Sequence, residues 1–435
     1  MARVHVIGAG LSGLAAAVRL SEKGVPVSLY ERSPQAGGRA RSYHDKQLDM
    51  VIDNGNHLLL SGNWAAMSLL ASIDALDSLI GPDEAVFPFI DMMTGASWTI
   101  RFNQGRWPTW VFDARARVPG SRASDYLPLA LMALARGGET VADYVAAGHR
   151  LQAPLVAPLC IAVLNAEPKV ASARLLAAVL RETVLKGADF CLPRIARAGL
   201  SESFAHPALR YLHKKGVDIR LGQRITAFET RAGALAALRL GEERVALADT
   251  DMAILAVAPE GARELLPELP VPEGAVPIVN LHYRLPTAPS PTWEAPFLGL
   301  VGGLAQWLFL RGSVASVTIS AAEAVADWES EALAMRVWRE IAPALDLPAA
   351  EMPPARVVKE KRATFLQSPA NEARRPHALS PLANLMLAGD WTATGLPATI
   401  EGSVRSGYKA AEMCFAMLTQ RPLPPDWANG RGGNS

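Results

Sequence analysis

Four residues close to the start of the chain have the types and the spacing that dinucleotide binding requires. Gly8, Gly10 and Gly13 form a Gly-x-Gly-x-x-Gly motif, and Glu31 follows 18 residues after the last of these glycines. In such a motif the first glycine permits a tight turn, the second lets the backbone approach a pyrophosphate, and the third lets a helix pack closely on a strand. The carboxylate of Glu31 could accept hydrogen bonds from a ribose diol. The alternative is a glycine turn in an α/β protein of another kind.

The sequence around this motif predicts the elements that must position it. Residues 4–7 are apolar and largely β-branched, residues 14–20 favour a helix closed by Gly24, and residues 25–30 predict a second strand. The first N–H groups of a helix have no partner inside it and carry partial positive charge, so this helix can bind phosphates at its N-terminus. The order of strand, glycine turn, helix and strand therefore predicts a Rossmann-like α/β fold.

A Gly-Gly-Arg segment a few residues after Glu31 adds a cation beside this turn. Gly38 is followed by Arg39, and Arg41 lies two residues further on. A guanidinium pairs well with phosphate oxygens. The simpler interpretation of Arg39, and still more of Arg41, is a solvated arginine in a loop.

Together these segments resemble the glutathione-reductase-like FAD proteins, in particular the amine oxidase and carotenoid desaturase superfamily. In that superfamily the double glycine and the arginine pass beside the pyrophosphate, and NAD-binding domains rarely carry them. The resemblance implies an α/β fold, with a Rossmann-like FAD-binding domain and a discontinuous substrate domain of helices and a mixed sheet. It implies FAD as the cofactor. No metal site is expected, because the sequence shows no metal-ligand spacing. The residues that it assigns to FAD are Gly8, Gly10, Leu11, Ser12, Gly13, Glu31, Arg32, Gly38, Arg39, Ile225, Gly389, Asp390, Thr399 and Ile400.

A second motif near the other end of the chain strengthens this resemblance. A strand predicted at residues 385–388 runs into Gly389 and Asp390, and the segment after Gly395 opens a last helix that reaches Leu418. In the superfamily the acid binds the ribityl–pyrophosphate part of FAD, and the helix N-terminus faces the flavin. A helix N-terminus stabilises the negative charge that reduction places on the flavin.

The nucleotide motifs and the stretches between them predict two interleaved domains. Residues 1–65, 201–260 and 356–420 are expected to form the FAD-binding domain, with strands at 217–221 and 223–228 that bring Ile225 to the adenine. Residues 66–200 and 261–355 are expected to form the substrate domain. The first insertion is mostly helical and apolar, and the second combines strands with a helix predicted over 325–345. The tail, 421–435, is predicted to be disordered.

A short polar turn at residues 53–57 contains the candidate catalytic residues. In the superfamily a similar turn runs near the flavin, and here Gly55 would let the backbone come close to it. Asn56 and His57 could hydrogen-bond a ring or a substrate. The alternative for His57 is a structural histidine.

Several stretches resemble one family within the superfamily, the squalene-associated FAD-dependent desaturases, now seen as hydroxysqualene dehydroxylases. These stretches are residues 53–57, 158–160, 164–165, 192–194, 306–307 and 395–402. The resemblance extends to about Leu418, with Asn56 standing where glutamine is expected. It implies reduction of an allylic C30 alcohol to squalene with loss of water, in squalene and hopanoid synthesis. A phytoene-type carotenoid desaturase, an amine oxidase and a non-enzymatic FAD-binding protein remain as alternatives.

The implied reaction needs a proton donor, because hydroxide leaves an apolar cavity very unfavourably. Asp53, His57 and Glu401 are the titratable residues within the two flavin-facing motifs. Asp53 is expected to fix its own turn, and Glu401 to be held in its charged form by the helix dipole. His57 is therefore the candidate donor, with ordered water or a residue of the insertions as the alternative.

Composition bounds the partners and the location of the protein. The 43 basic and 42 acidic residues give a net charge of +1 without a basic run, so nucleic acid is not an expected partner. Three scattered cysteines without metal-ligand spacing indicate reduced thiols and a cytoplasmic protein.

Residues 1–3 lead directly into a strand, so no signal peptide is expected. The mean hydropathy is +0.14, and the apolar runs at 126–135 and 151–164 are too short to span a bilayer. They are either core helices or a surface that contacts the inner membrane peripherally.

Overall fold

The chain forms two principal sheets joined by helices and by three small sheets. The computed structural model describes residues 2–423; residues 424–435, most of the predicted disordered tail, lie outside the described residues. The strands are β1 Val4–Ile7, β2 Val27–Glu31, β3 Ser42–Asp45, β4 Met50–Asp53, β5 Leu59–Leu60, β6 Leu79–Ile80, β7 Val86–Asp91, β8 Ser97–Arg101, β9 Pro193–Ala196, β10 Asp218–Leu221, β11 Ala227–Arg231, β12 Ala234–Leu240, β13 Glu243–Ala246, β14 Met252–Leu255, β15 Ala275–Arg284, β16 Phe297–Val301, β17 Trp307–Arg311, β18 Val314–Ile319, β19 Ala355–Phe365 and β20 Leu385–Leu387. The α-helices are α1 Leu11–Glu22, α2 Trp64–Ser72, α3 Leu127–Met132, α4 Val141–Tyr144, α5 Ala157–Leu164, α6 Ala173–Glu182, α7 His206–Lys214, α8 Pro259–Leu265, α9 Ser330–Ile341, α10 Pro369–Ala373 and α11 Ile400–Thr419.

The first principal sheet is parallel and has the strand order β10-β2-β1-β14-β20. Its central strands β1 and β14 are buried along their whole length, as apolar strands of a sheet covered on both faces must be. Helices α1 and α11 pack together on one face of this sheet. Gly407 of α11 permits their close approach, since a Cβ there would collide with the carbonyl oxygen of Ser12. The expected α/β fold is confirmed.

The second principal sheet is mixed and has the strand order β19-β15-β18-β17-β16-β7-β8. Its pairs are antiparallel except for β16 and β7, which run parallel. One face packs on α9 around Trp338, and the other packs on the helical insertion around Leu164. The second face is therefore enclosed between the sheet and the helices.

The helical insertion is hydrogen-bonded to this sheet at the point where α5 ends. The helix stops at Asn165, which has a left-handed backbone with φ of 47°. The Asn165 side chain donates to the carbonyl of Val276 and to the hydroxyl of Thr364, and it accepts from the N–H of Ala321. The second apolar run of the sequence, 151–164, thus supplies core: Leu151, Val156, Cys160 and Leu164 are buried in the cluster beneath the sheet.

Two predicted elements and one predicted domain boundary differ from the structure. Residues 223–226 form a loop rather than a strand, because the N–H of Gln223 donates to the carbonyl of Glu31 and holds the loop beside β2. The helix predicted over 325–345 begins only at Ser330, because the Glu329 carboxylate caps the N–H of Ala332. Strand β19 pairs with β15 in the second sheet, so we propose a domain boundary near residue 366 rather than at 356.

The described chain also bears on three expectations drawn from composition. Cys160, Cys191 and Cys414 are free and buried, and burial raises the pKa of the Cys191 thiol to about 12. In the part of the chain that the structure describes, no helix has the length and apolarity to traverse a bilayer. Over the same residues, no cluster of three or more histidine, cysteine or acidic side chains could hold a metal ion.

Candidate functional site

The glycine turn after β1 leaves open space for a cofactor at one of its three glycines. Gly8 has φ of 106°, and a Cβ there would lie 2.5 Å from the carbonyl oxygen of Ala256. A Cβ on Gly13 would collide with the carbonyl oxygen of Gly8. A Cβ on Gly10, in contrast, would meet no protein atom within 4 Å. Gly8 and Gly13 are therefore needed by the fold, whereas the space outside Gly10 is open to a ligand.

Helix α1 begins at this turn with an uncapped N-terminus. Gly10 is its N-cap residue, no side chain caps it, and its first turn carries no acidic residue. The N–H groups of Leu11, Ser12 and Gly13 have no acceptor inside the helix. Gly38 lies directly beside this end, since a Cβ on Gly38 would lie 3.2 Å from the Cα of Gly10. The arrangement can bind a diphosphate.

Glu31 stands at the end of β2 and holds the glycine turn in place. Its carboxylate accepts from the N–H of Ala9 and from the N–H of Ser33, both at 2.8 Å. The loop that contains buried Ile225 is tied to the backbone of residues 31 and 33, which places it next to Glu31. Arg32 is exposed at this edge. These residues lie together where the ribose and the adenine of FAD are expected.

Arg39 joins the motifs from the two ends of the chain. Its guanidinium donates to the Asp390 carboxylate and to the Ala363 carbonyl, each at 2.6 Å. The charge of Asp390 raises the pKa of Arg39. Although it is paired, Arg39 keeps 40% of its side chain exposed. A guanidinium has five N–H donors, so further donors remain for phosphate oxygens.

Arg375, which sequence reasoning missed, holds the loop that follows Asp390. Its buried guanidinium donates to the carbonyls of Asp390, Thr392 and Leu396 at 2.8, 2.9 and 2.6 Å. Burial lowers the pKa of Arg375 to about 10, so the side chain remains charged at neutral pH. No spacing or motif in the sequence marks this arginine.

The start of α11 uses its polar side chains for structure. The Thr399 hydroxyl accepts from the N–H of Gly402 and caps its own helix, and Ile400 is buried. The Glu401 carboxylate accepts from the N–H groups of Ala65 and Ala66 at the start of α2, at 3.1 and 2.9 Å.

Arg405 is the second partner of the Glu401 carboxylate and links it to the helical insertion. Its Nε donates to Glu401 at 2.6 Å, and its Nη1 donates to Glu182 of α6 at 2.8 Å. Burial raises the pKa of Glu401, against the effect of Arg405 and of the two α2 N–H groups. This direction is opposite to the expected bias of Glu401 toward its charged form. Its carboxylate instead joins α11, α2 and α6.

Asp53 anchors the candidate catalytic turn to three other segments. Its carboxylate accepts from the Ser42 hydroxyl at 2.6 Å, from the N–H of Leu200 at 2.9 Å and from Arg311 Nη1 at 2.5 Å. In the Asp53–Arg311 ion pair the carboxylate is buried, with 3% of its side chain exposed, and the arginine is largely buried, with 12% exposed. The expectation that Asp53 fixes its own turn was wrong. It fixes the turn to the second sheet through Arg311 of β17.

Asn56 makes a second connection between the turn and this sheet. Its side-chain amide donates to the Thr318 hydroxyl at 3.1 Å, and that hydroxyl donates to the Asn280 side-chain oxygen at 2.8 Å. The Asn280 amide donates in turn to the Asn54 carbonyl at 3.3 Å. Sequence reasoning missed Asn280 and Thr318. The signal that could have found them is a polar residue at a buried position of an otherwise apolar strand.

His57 lies on the same turn but makes no such connection. Within residues 2–423 no group hydrogen-bonds its ring. Burial lowers the pKa of His57, the charge of Asp53 opposes this change, and the charge of Arg39 adds to it. The imidazole is therefore neutral at neutral pH, and the turn brings it to within electrostatic range of both charged residues. It could donate a proton after taking one up from solvent.

Known flavoproteins resemble this chain in sequence and in fold. The chain matches the model of the family described as flavin containing amine oxidoreductase over residues 11–414. It is 43% identical over 413 residues to a hydroxysqualene dehydroxylase of Sinorhizobium fredii, covering 95% of this chain and 98% of that protein. It is 45% identical over 414 residues to a hydroxysqualene dehydroxylase of Rhodopseudomonas palustris, with the same two coverages of 95% and 98%. The cyclohexylamine oxidase of Brevibacterium oxydans has the same fold, with a TM-score of 0.70 at 17% identity over 96% of this chain and 99% of that one.

Proposed function

Because the chain belongs to the flavin-containing amine oxidoreductases and, within them, to the hydroxysqualene dehydroxylase family, we propose that it reduces hydroxysqualene to squalene with loss of water. The observation that carries the proposal is the match with hydroxysqualene dehydroxylases over 95% of the chain. The cofactor is FAD, and the open space at Gly10 beside an uncapped helix fits its diphosphate. Reduced FAD supplies the hydride that replaces the hydroxyl group of the substrate.

The residues of the chain hold the cofactor from both ends of the sequence. We assign the pyrophosphate to the N-terminus of α1 and to Arg39, the ribose to Glu31, and the adenine to the loop at Ile225. Asp390 orients Arg39 through their ion pair, and the Arg375 guanidinium fixes the loop after Asp390. The N-terminus of α11, with Thr399 and Ile400, faces the flavin in this assignment.

The helical insertion serves to keep water out of the reaction. Its cluster packs on one face of the second sheet and consists of apolar and aromatic side chains. Ionisation of an allylic alcohol gives a delocalised cation, which water would trap. In this proposal the apolar side chains of the insertion exclude water from the reaction and contact the C30 chain.

We assign proton donation to His57, with Asn56 placing the turn, and this gives a testable pH dependence. Since burial lowers the pKa of His57, the protonated form is scarce at pH 7 and grows as the pH falls below the ordinary value of about 6.5. The rate of squalene formation should therefore increase as the pH is lowered to the folded-state pKa and level off below it. In the His57→Gln variant the rate should fall by on the order of 10²-fold and lose this dependence. The measurement is kcat as a function of pH, and the FAD content of each protein is the control. Normal turnover in the variant would show that the proton donor is water or a residue of the insertions.

The product assay separates this function from a carotenoid desaturase and from an amine oxidase. Purified FAD-loaded protein with a reductant is incubated with hydroxysqualene, and the extracted lipids are examined for squalene. The oxidised protein is incubated in parallel with phytoene and with a primary amine. Squalene from the first incubation and no product from the others is the expected result. A dehydrogenated carotenoid or an aldehyde instead of squalene would overturn the proposal.

We further propose that the protein contacts a membrane through an exposed apolar surface on the helical insertion. This surface consists of Trp107, Phe112, Leu127, Leu131 and Leu134, which are 83%, 75%, 59%, 52% and 74% exposed. The three leucines follow the i, i+4, i+7 spacing of one helical face, so α3 and the turn after it point their apolar stripe outward. The T-shaped contact of Trp110 with Tyr126, at 5.0 Å between ring centroids, joins the segments that carry the two aromatic residues and the leucines.

The charge of the same region suits an anionic lipid surface. Residues 103–136 contain five arginines and two aspartates, whereas the whole chain has a net charge of only +1. Apolar side chains flanked by basic ones are typical of peripheral membrane contact. A C30 hydrocarbon product also requires a lipid phase to receive it. The proposed location is the cytoplasmic face of the inner membrane.

Liposome flotation tests this contact. We expect the FAD-loaded protein to float with vesicles that contain anionic lipid, and the Trp107→Ser/Leu131→Gln/Leu134→Gln variant to lose most of this binding. The matched control replaces exposed apolar residues outside the surface, as Trp328→Ser/Leu379→Gln, and should float like the wild type. Equal flotation of both variants, or no flotation of the wild type, would contradict the proposed surface.

A further inference from the structure

One face of the second sheet is divided into a polar half and an aromatic half. The residues that stand in register across β15, β18, β17, β16, β7 and β8 are Asn280, Thr318, Trp307, Gly299, Phe89 and Trp98. Side chains of directly opposed residues lie on the same face of a sheet. The first two are the residues that hold the catalytic turn through Asn56, and the last four lead away from it. We call Trp307, Phe89 and Trp98 the aromatic row.

The aromatic row is continuous because of the glycine in the middle of it. A Cβ on Gly299 would collide with the ring of Phe89, so only glycine leaves room for this ring. The Phe89 ring stands edge-on to Trp307 and is stacked on Trp98, with centroids 5.6 Å apart in both pairs. The row therefore begins beside Thr318, next to the catalytic turn, and extends across three more strands.

Two features of the row indicate that it serves a ligand. The indole N–H groups of Trp307 and Trp98 are buried and have no acceptor among the described residues. Unpaired buried donors are uncommon and need an explanation, and a double bond lying across an indole N–H is a weak acceptor. The apolar side chains packed around this cluster include Leu58, Leu159 and Val163, which are only partly buried. The row thus belongs to a cluster whose margin consists of partly exposed apolar side chains.

We propose that the aromatic row is the wall along which the polyene chain of the substrate lies, and that Trp307 faces the carbon that loses its hydroxyl group. This inference rests on the proposed function. In the reaction the C–O bond breaks, its electron pair goes to oxygen, and the protonated oxygen leaves as water, so an allylic cation forms. The two electrons and the hydrogen that complete the product come from the reduced cofactor. The face of an indole attracts a desolvated cation electrostatically, and Trp307 is the aromatic residue of the row next to the Asn56–Thr318 contact.

Binding of two ligands that differ only in charge tests this role without turnover. One ligand is squalene, and the other is its analogue with a tertiary amine in place of the reacting carbon, protonated at pH 7. Apparent Kd values are measured by competition with labelled squalene on FAD-loaded protein in one detergent. Trp307→Leu should raise the Kd of the cationic analogue by roughly tenfold or more and the Kd of squalene much less. Trp307→Phe, which keeps an aromatic face, should recover part of the loss. Trp328→Leu, a surface substitution outside the row, should change neither Kd.

The outcomes separate the inference from the function on which it rests. Equal loss of both ligands in Trp307→Leu, or no loss of either, would overturn the assignment of Trp307 to the cation. Wild-type protein that binds neither ligand would overturn the proposed function and the inference with it. FAD content and thermal unfolding of each variant verify that it is folded. Phe89→Leu should weaken binding of both ligands by similar factors, because Phe89 lies in the part of the row that does not contact the cation.

Discussion

The Gly10→Val variant should fold and yet lose its flavin. The valine side chain would occupy the space outside the turn, where a Cβ meets no protein atom within 4 Å, and where we place the pyrophosphate. FAD affinity should therefore fall by on the order of 100-fold, equivalent to about 3 kcal/mol. The apoprotein should lose no more than about 1 kcal/mol of unfolding free energy, since valine is only a poorer N-cap residue than glycine. Flavin absorbance of the purified variant and its unfolding transition measure the two quantities.

Gly13→Ala is the matched control for this substitution. Its Cβ would collide with the carbonyl oxygen of Gly8 and would lie 3.4 Å from the Cβ of Ala256. It should therefore destabilise the apoprotein itself, by about 1–3 kcal/mol, the usual cost of overpacking. Full flavin content in Gly10→Val would show that the pyrophosphate lies elsewhere. A loss of apoprotein stability as large as that of Gly13→Ala would show that Gly10 is a structural glycine.

Removing Arg311 should damage both the stability and the activity of the protein. The Arg311→Met variant leaves the Asp53 carboxylate buried without its positive partner, which costs about 3–5 kcal/mol when a buried pair is broken. The turn that carries Asn56 and His57 loses its anchor on β17, and small displacements at a catalytic turn cost on the order of 10²-fold in rate. Chemical denaturation and the squalene assay measure the two effects.

Two further variants determine whether the lost charge pair is the cause. The Asp53→Asn/Arg311→Met double variant removes both charges and should recover much of the lost stability, because no buried charge remains unpaired. Arg231→Met breaks the exposed pair with Asp249 and should change stability little. If the double variant is no more stable than Arg311→Met alone, the loss arises from packing rather than from the Asp53 charge.

The fold of the nucleotide-binding half of the protein was predictable because its key residues lie in local sequence motifs. A glycine turn needs glycine at fixed positions, and a strand, a turn and a helix follow each other in sequence. Val4–Ile7 and the turn at Gly8 therefore lie where the sequence placed them. The same holds for Gly389 and Asp390, which follow a buried strand after one intervening residue, Ala388.

The residues that hold the candidate catalytic turn could not be predicted, because they come from distant parts of the chain. Arg311 reaches Asp53 across 258 positions, and Thr318 reaches Asn56 across 262. Such pairs depend on the register of a mixed sheet, which local patterns do not specify. The role of Glu401 was misjudged for the same reason, since its partners Ala65 and Ala66 lie more than 330 positions away. Within the candidate site, the residues assigned to the cofactor lie in local sequence motifs, whereas the residues that position the turn are brought together only by the fold.

A single anaerobic turnover tests the central claim most directly. The protein is loaded with FAD, reduced, freed of excess reductant, and mixed with hydroxysqualene in the absence of oxygen. We expect the absorbance of oxidised flavin to return, with one squalene formed for each flavin reoxidised. If the flavin stays reduced while hydroxysqualene is recovered unchanged, the proposed function is wrong.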